Sequence, residues 1–444
     1  MVGPLVRMRS AARLLSVAAM VVLVACQSGT SGSSAGASST DVTVWTAWGG
    51  QELKAYQDVL KPFQQQTGIK VHLLTIRDSD TQLSTNIQAG TSLPDIAPGP
   101  ATPDLLQSWV SKGVMKPIET AIGSDFSAYT SNTYAALTTP PSGQNTNLYI
   151  GVINGKHYEE MVKTQVKGLF WYNTSVFKGT PPTTFDQLLA INPAQYGAQK
   201  LFCVGLESGS ASGWPASDMI DNIIMRQNSA SFYTNWIQGK VKFTDPAIKK
   251  GYQTYLQEVS AQNVFGGSNT VLTTNFMKGG DPLFKSPPGC LFLEQATFIT
   301  AFFQQNNPSL KSSDYAFFAH PSIESQFDGN VNGFYDQFAM YNDTPAARKL
   351  MQYMVTAQAQ QIWADDGGTL AARKDVTYKD PVFKAAADVA HNAKNLLVTA
   401  GDFMPTDMQA GFWKSLLDVT RDPSSLDSVL SHLDQVQAAA YQKG

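Results

Sequence analysis

Enzymatic chemistry needs histidines, thiols or carboxylates in workable groupings, and this chain offers few at short range. Its five histidines, His72, His157, His320, His391 and His432, are scattered. With no HExxH and no pair at metal-ligand spacing, the sequence points to no metal and no other cofactor. No GKS or GKT phosphate loop is present. Gly32-Ser33-Ser34-Ala35-Gly36 matches G-x-S-x-G, but it lacks the flanking strand and helix of a nucleophile elbow. Carboxylate pairs for glycoside hydrolysis meet only in space, and Glu207, Glu294 and Asp336 are the candidates. Hydrogen bonding to a ligand or a backbone amide accounts for them better. Aromatic residues, by contrast, accumulate beside polar loops: Trp48, Trp214, Phe298, Tyr335 and Trp413. Flat rings suit the CH faces of a sugar, while Asp, Glu, Gln and Arg suit its hydroxyls. Each ring singly is as well explained by packing; together they favour a carbohydrate cleft. Trp45, Trp109, Trp171, Trp236 and Trp363 lie within regular elements and are assigned to the core.

The elements that must position these residues begin at Asp41–Ile96, a strand–helix–strand–helix–strand run. Val42, Val44 and Trp45 make a short apolar strand, then Leu53, Tyr56, Leu60 and Phe63 recur at helical steps up to Gly68. A second strand covers Ile69–Ile76, a helix runs to about Ala89, and Pro94-Asp95-Ile96 opens a third strand. Such alternation predicts a parallel sheet covered on both faces, with ligands beyond the carboxyl ends of its strands. The loops there are Thr46–Gly50, with Trp48 expected to be exposed, Arg77–Thr81 and Ala97–Pro103. Further strands are expected at Leu169–Asn173, Leu201–Leu206, Gly289–Leu293, Asp314–His320 and Gly333–Met340, with a surface loop at Thr138–Asn147. The last third reads as mostly helical.

Arg7, Arg9 and Arg13 precede an uncharged apolar run, Leu14–Ala25, too short to cross a bilayer but suited to a signal peptide over residues 1–25. Leu23-Val24-Ala25-Cys26 resembles a lipobox, with Cys26 as the lipidated residue. An ordinary leader with a chance cysteine is the alternative. The Ser/Gly-rich linker that completes 26–40 favours lipidation, since it would span roughly 20 Å and hold a domain off a membrane. With Cys26 set aside, Cys203 and Cys290 are either a disulfide or two buried thiols, and export favours the disulfide. A net charge of −3 gives no basic footprint for nucleic acid. Hydrophobic residues at 43% suffice for two cores in the roughly 400 residues that follow the linker.

The order of these pieces resembles the extracellular solute-binding proteins of carbohydrate ABC importers, the family that includes the maltodextrin-binding proteins. Trp45…Trp48-Gly49, Thr67-Gly68-Ile69-Lys70-Val71, Pro94-Asp95-Ile96 and Trp171-Tyr172-Asn173 with Pro181–Phe185 carry the likeness. Cys203–Gly209, Gly213-Trp214-Pro215, Asp218, Cys290, Gln295–Ile299, Gly367-Gly368 and Phe412-Trp413-Lys414 resemble its alpha-glucoside-binding branch. Val166, where maltodextrin binders carry an acidic sugar ligand, and Leu370–Arg373, which lacks a Ser-Pro-His character, depart from the pattern.

The resemblance implies an α/β, two-lobed periplasmic-binding-protein fold, each lobe a mainly parallel sheet flanked by helices, joined by a multi-crossing hinge. Crossings are expected near Lys163–Lys167, Pro321 and Gly367. The lobes are then 41–164 with 322–367, and 165–321 with 368–444. Trp214 and Trp413 match ring-stacking positions, Glu207 a hydroxyl acceptor, and Asp336 and Gln337 a polar strand end facing the cleft. The candidate ligand set is Trp48, Gln51, Asp95, Glu207, Ser208, Trp214, Asp218, Gln295, Phe298, Tyr335, Asp336, Gln337, Gly368, Arg373 and Trp413. The implied protein is a monomeric, lipid-anchored receptor that delivers a di- or oligosaccharide to ABC permease subunits. A receptor for a non-sugar solute such as a polyol phosphate, or a secreted glycoside hydrolase, are the alternatives.

Overall fold

The computed structural model describes residues 40–123, 132–133, 151–366 and 369–442. The expected leader, Cys26, the linker up to residue 39, the 138–147 loop and Gly368 lie outside the described residues. The start of the domain follows the sequence pattern. Strand β1 (Asp41–Thr46) pairs in parallel with β2 (Lys70–Thr75), from Asp41↔Lys70 to Thr46↔Thr75. Helix α1 (Gly50–Thr67) connects them, burying Ala55, Tyr56, Val59, Leu60 and Phe63 along one stripe. It stops at Gly68, whose φ of 69° is open to glycine and whose N–H donates to the Gln64 carbonyl. Helix α2 (Ser79–Ala89) leads to β3 (Ile96–Pro98), which joins β1 in parallel through Val44↔Ile96, and α3 (Pro103–Ser111) follows. β4 (Val152–Ile153) and β5 (Lys156–His157) form a small hairpin.

Two longer strands build the rest of the first sheet. β6 (Glu159–Val166) and β11 (Asn330–Met340) run antiparallel to one another, and β11 is antiparallel to β3. β12 (Leu370–Ala371) closes one edge on β6, and β13 (Asn395–Leu397) pairs in parallel with β11. The second sheet has the order β10 (Tyr315–Ala319), β7 (Leu169–Asn173), β9 (Cys290–Gln295), β8 (Lys200–Cys203), and only β8 and β9 are parallel. The two sheets with their helices make a two-lobed α/β architecture. Both sheets are mixed, not mainly parallel. The helix-linked strands β1, β2 and β3 obey the parallel rule. β11 instead returns from the other sheet, and its direction is fixed by that crossing. The strand expected over Leu201–Leu206 ends at Cys203, and residues 204–206 continue as buried loop.

The crossings lie close together. β6 passes into β7 through Lys167-Gly168, and the chain returns from β10 to β11 over residues 320–329. The His320 N–H donates to the Gly168 carbonyl (2.7 Å) and the Lys167 N–H to the Asn332 carbonyl (2.9 Å), so these passages hold one another. Gly168 is required twice over: its φ is 69°, and a Cβ there would sit 2.3 Å from the Asn222 side-chain oxygen. The third crossing follows β13 rather than Gly367. Residues 370–397, assigned from sequence to the second lobe, pair with or pack on the first sheet. The terminal helices Thr406–Arg421 and Leu426–Ala440 then bury Met408, Phe412, Leu416 and Leu430 in the second-lobe core. That core also holds Phe170, Phe202, Ile223, Trp236, Tyr252 and Phe292. Cys203 and Cys290 are joined by a disulfide between β8 and β9, with Cα atoms 5.5 Å apart.

Candidate binding cleft between the two sheets

β6 supplies the floor of a cleft of about 400 Å³, within the usual range of small-molecule sites, roughly 300–1,000 Å³. Alternate side chains of a strand share a face, and Lys163, Gln165 and Lys167 all line the cleft at that spacing. Loops at the carboxyl ends of β1 and β2 bring Ala47, Trp48, Arg77 and Asp78, and the first turn of α1 brings Glu52. The opposing wall carries Ser208, Ser210, Trp214, Asp218, Phe276 and Phe298, with Asp402 and Trp413 from the C-terminal segment. Trp214 stands edge-on to Phe276 (5.0 Å between centroids) and tilted against Phe298 (5.9 Å). The two make an aromatic corner.

Each lysine of the floor is buried and held by carboxylates. Lys163 pairs with Glu52 and with Asp336 (3.1 Å), and its ammonium lies 4.6 Å from the Trp48 ring centre. Lys167 pairs with Asp218 (2.6 Å) and lies 4.9 Å from the Phe334 ring centre. Burial pulls both ammonium groups down, but the carboxylates (Asp336 and Glu52 for one, Asp218 and Asp402 for the other) hold them above the ordinary lysine range. Burial raises Glu52 and Asp218 against the pull of their lysines. Burial likewise pushes Asp402 up to about 7, although Lys167 opposes it. Among the described lining residues, five carboxylates (Glu52, Asp78, Asp218, Asp336, Asp402) face three cations (Arg77, Lys163, Lys167). Carboxylates exceed cations by two, or by one when Asp402 holds its proton, so the lining is acidic.

Of the residues singled out from sequence, Trp48, Ser208, Trp214, Asp218, Phe298, Asp336 and Trp413 line this cleft. Trp48 is not the exposed ring expected: it is 6% exposed, with its ring 5.1 Å from Tyr56 and from Trp363. Tyr335 and Gln337 line a much smaller cavity beside it, with Glu159 and Pro100–Pro103. The others are engaged elsewhere. Asp95 sits at the amino end of β3, where it accepts from the Thr43 N–H (2.8 Å). Gln51 donates to the Asp366 carbonyl (3.2 Å), and Arg373 grips Asp375 through two hydrogen bonds of 2.8 and 2.5 Å. Gln295 is buried with its side-chain oxygen on the Ala296 N–H (2.9 Å). Glu207 accepts from the Gly209 N–H (2.7 Å) and Asn275 (2.6 Å), bonds that hold its carboxyl below the usual range and shape the Ser208 loop. Of the three carboxylates weighed for hydrolysis, only Asp336 faces the cleft. Sequence reasoning missed Lys163, Lys167, Glu52, Arg77, Phe276 and Asp402. For the lysines a signal existed, since Lys163-x-Gln165-x-Lys167 alternates long polar side chains along an otherwise buried strand.

The family model described as bacterial extracellular solute-binding protein matches residues 58–391. The alpha-glucosides-binding periplasmic protein AglE of Rhizobium meliloti is 30% identical over 405 residues, covering 87% of this chain and 84% of that protein. The osmoprotective compounds-binding protein GgtB of Synechocystis is 25% identical, covering 90% of this chain and 93% of that one. In fold, the chain matches a chitin oligosaccharide binding protein with a TM-score of 0.73 at 17% identity, covering 90% of this chain and 99% of that one. It matches the raffinose complex of RafE with a TM-score of 0.68 at 15% identity, covering 90% of this chain and 99% of that structure.

Proposed function

Because the chain belongs to the bacterial extracellular solute-binding proteins, binding proteins of the extracytoplasmic space and not enzymes, we propose that it is the sugar receptor of an ABC importer. The ligand is a di- or oligosaccharide of the alpha-glucoside kind, the class named for the relative from Rhizobium meliloti. One observation carries this reading: Trp48, Trp214, Phe298 and Trp413 converge on one cleft whose two lysines are already paired with carboxylates. Rings offer stacking area to the sugar faces, and Ser208, Gln165, Asp336 and Asp402 offer hydroxyl partners. Hinge rotation about the Lys167-Gly168 and 320–329 passages closes the lobes, and the closed form docks on the permease subunits. Cys26 bears the lipid that tethers a monomeric receptor to the membrane. A phosphorylated solute fits less well, because Lys163 and Lys167 are neutralised and carboxylates outnumber cations among the lining residues.

A thermal-shift panel of maltose, trehalose, sucrose and raffinose, with inorganic phosphate as control, tests the proposal. One sugar raises the melting point by several degrees and is recovered uncleaved. A shift with phosphate alone removes the sugar reading.

A further inference from the structure

Away from the cleft, the second lobe buries three acceptor groups close to one another. Glu258 ends the helix Pro246–Glu258 and is fully buried, with neither carboxylate oxygen in a hydrogen bond. Glu294 on β9 gives one oxygen to the Asn222 amide (3.1 Å), while its second oxygen is buried without a partner. His320, 5% exposed at the start of the second crossing, directs Nδ1 to the Pro321 carbonyl (2.9 Å), and its buried Nε2 has no partner. A carbonyl only accepts, so Nδ1 carries the proton and Nε2 presents a lone pair. One ligand atom from each residue lies within 4.8 Å of the other two.

We propose that Glu258, Glu294 and His320 bind a divalent transition-metal ion of the zinc or manganese type. Two carboxylates and one imidazole are a donor set that such ions accept, and all-oxygen calcium sites lack the imidazole. Ligand atoms around one such ion stand roughly 3–4 Å apart, so small rotamer shifts bring the three into register. The outer shell is in place: the Pro321 carbonyl sets the imidazole tautomer, the Asn222 amide aims Glu294, and Phe185 stacks on the His320 ring (5.6 Å, 4° between planes). Shared protons do not serve equally well, because no two of these atoms are hydrogen-bonded. The charged group beside the trio is Arg226. Its guanidinium is turned to the His320 carbonyl and to Asn222, and burial raises both carboxyl groups, so a metal ion binds by displacing their protons. His320 and Arg226 also border a surface groove. A bound ion would staple β9 and the helix Pro246–Glu258 to the passage linking the sheets.

The test uses the full chain, stripped with chelator and dialysed. Titration with Zn²⁺ or Mn²⁺ alone, followed by elemental analysis, returns about one ion per chain and raises the melting point. Ca²⁺ does neither. His320→Gln and Glu258→Gln each weaken the metal by more than about tenfold while circular dichroism stays native. Absence of any stoichiometric ion on the unaltered chain overturns the proposal without reference to variant folding, as does a response to Ca²⁺ only.

Discussion

Trp214 opens its helix at a place set by Gly213, whose φ is 103° and where a Cβ would lie 2.5 Å from the Trp413 carbonyl. The two stacking candidates are thus braced against each other by a residue that has no side chain. Replacing Trp214 or Trp413 by alanine should weaken sugar binding by about 1–3 kcal/mol through lost apolar contact. Titration calorimetry reads the loss, and unchanged affinity in both variants removes them from the site. Asp402 brings a pH term. Its folded pKa, about 7, is above the unfolded value of 3.8, so the folded state holds the proton more tightly. Its contribution to stability is therefore present at low pH and is lost as pH rises toward 7, because the native carboxyl is then ionised against its burial. Asp402→Asn should flatten the fall in stability between about pH 4 and 7, measured by urea unfolding at a series of pH values.

At the level of elements, the disulfide between β8 and β9 closes a loop across a sequence separation of 87. The chain-entropy argument gives it about 4–5 kcal/mol. A Cys203→Ala/Cys290→Ala double variant should unfold at a correspondingly lower denaturant midpoint, with a native-like spectrum before the transition. These elements were largely legible in advance. The α1 stripe from Leu53 to Phe63, the stop at Gly68, and the Thr184, Asp245 and Thr344 side chains that accept from the first turns of their helices follow from local rules. Strand direction was not legible, because β11 takes its direction from a passage between sheets, a non-local property. The site was half legible for the same reason. Trp214 and Phe298 stand out in polar loops, but Arg373 is taken by Asp375 and Asp95 lies at the far end of its strand. Only tertiary pairing reveals either fact. Trp48 combines both cases: it lines the cleft and is packed into the core.

For the molecule as a whole, the passages between the sheets are few, adjacent and hydrogen-bonded to one another through Gly168 and His320. Such a connection permits rotation of one lobe against the other with little change inside either. Small-angle scattering should report a smaller radius of gyration for the sugar-saturated protein than for the free one; equal radii remove hinge closure from the account. None of the helices among the described residues is long and apolar enough to cross a membrane.

Because Lys163 and Lys167 are already paired with Glu52, Asp336 and Asp218, an uncharged solute can enter or depart without an anion having to replace it on the two lysines. Salt in the surroundings then has little hold on the affinity of the cleft for an uncharged solute.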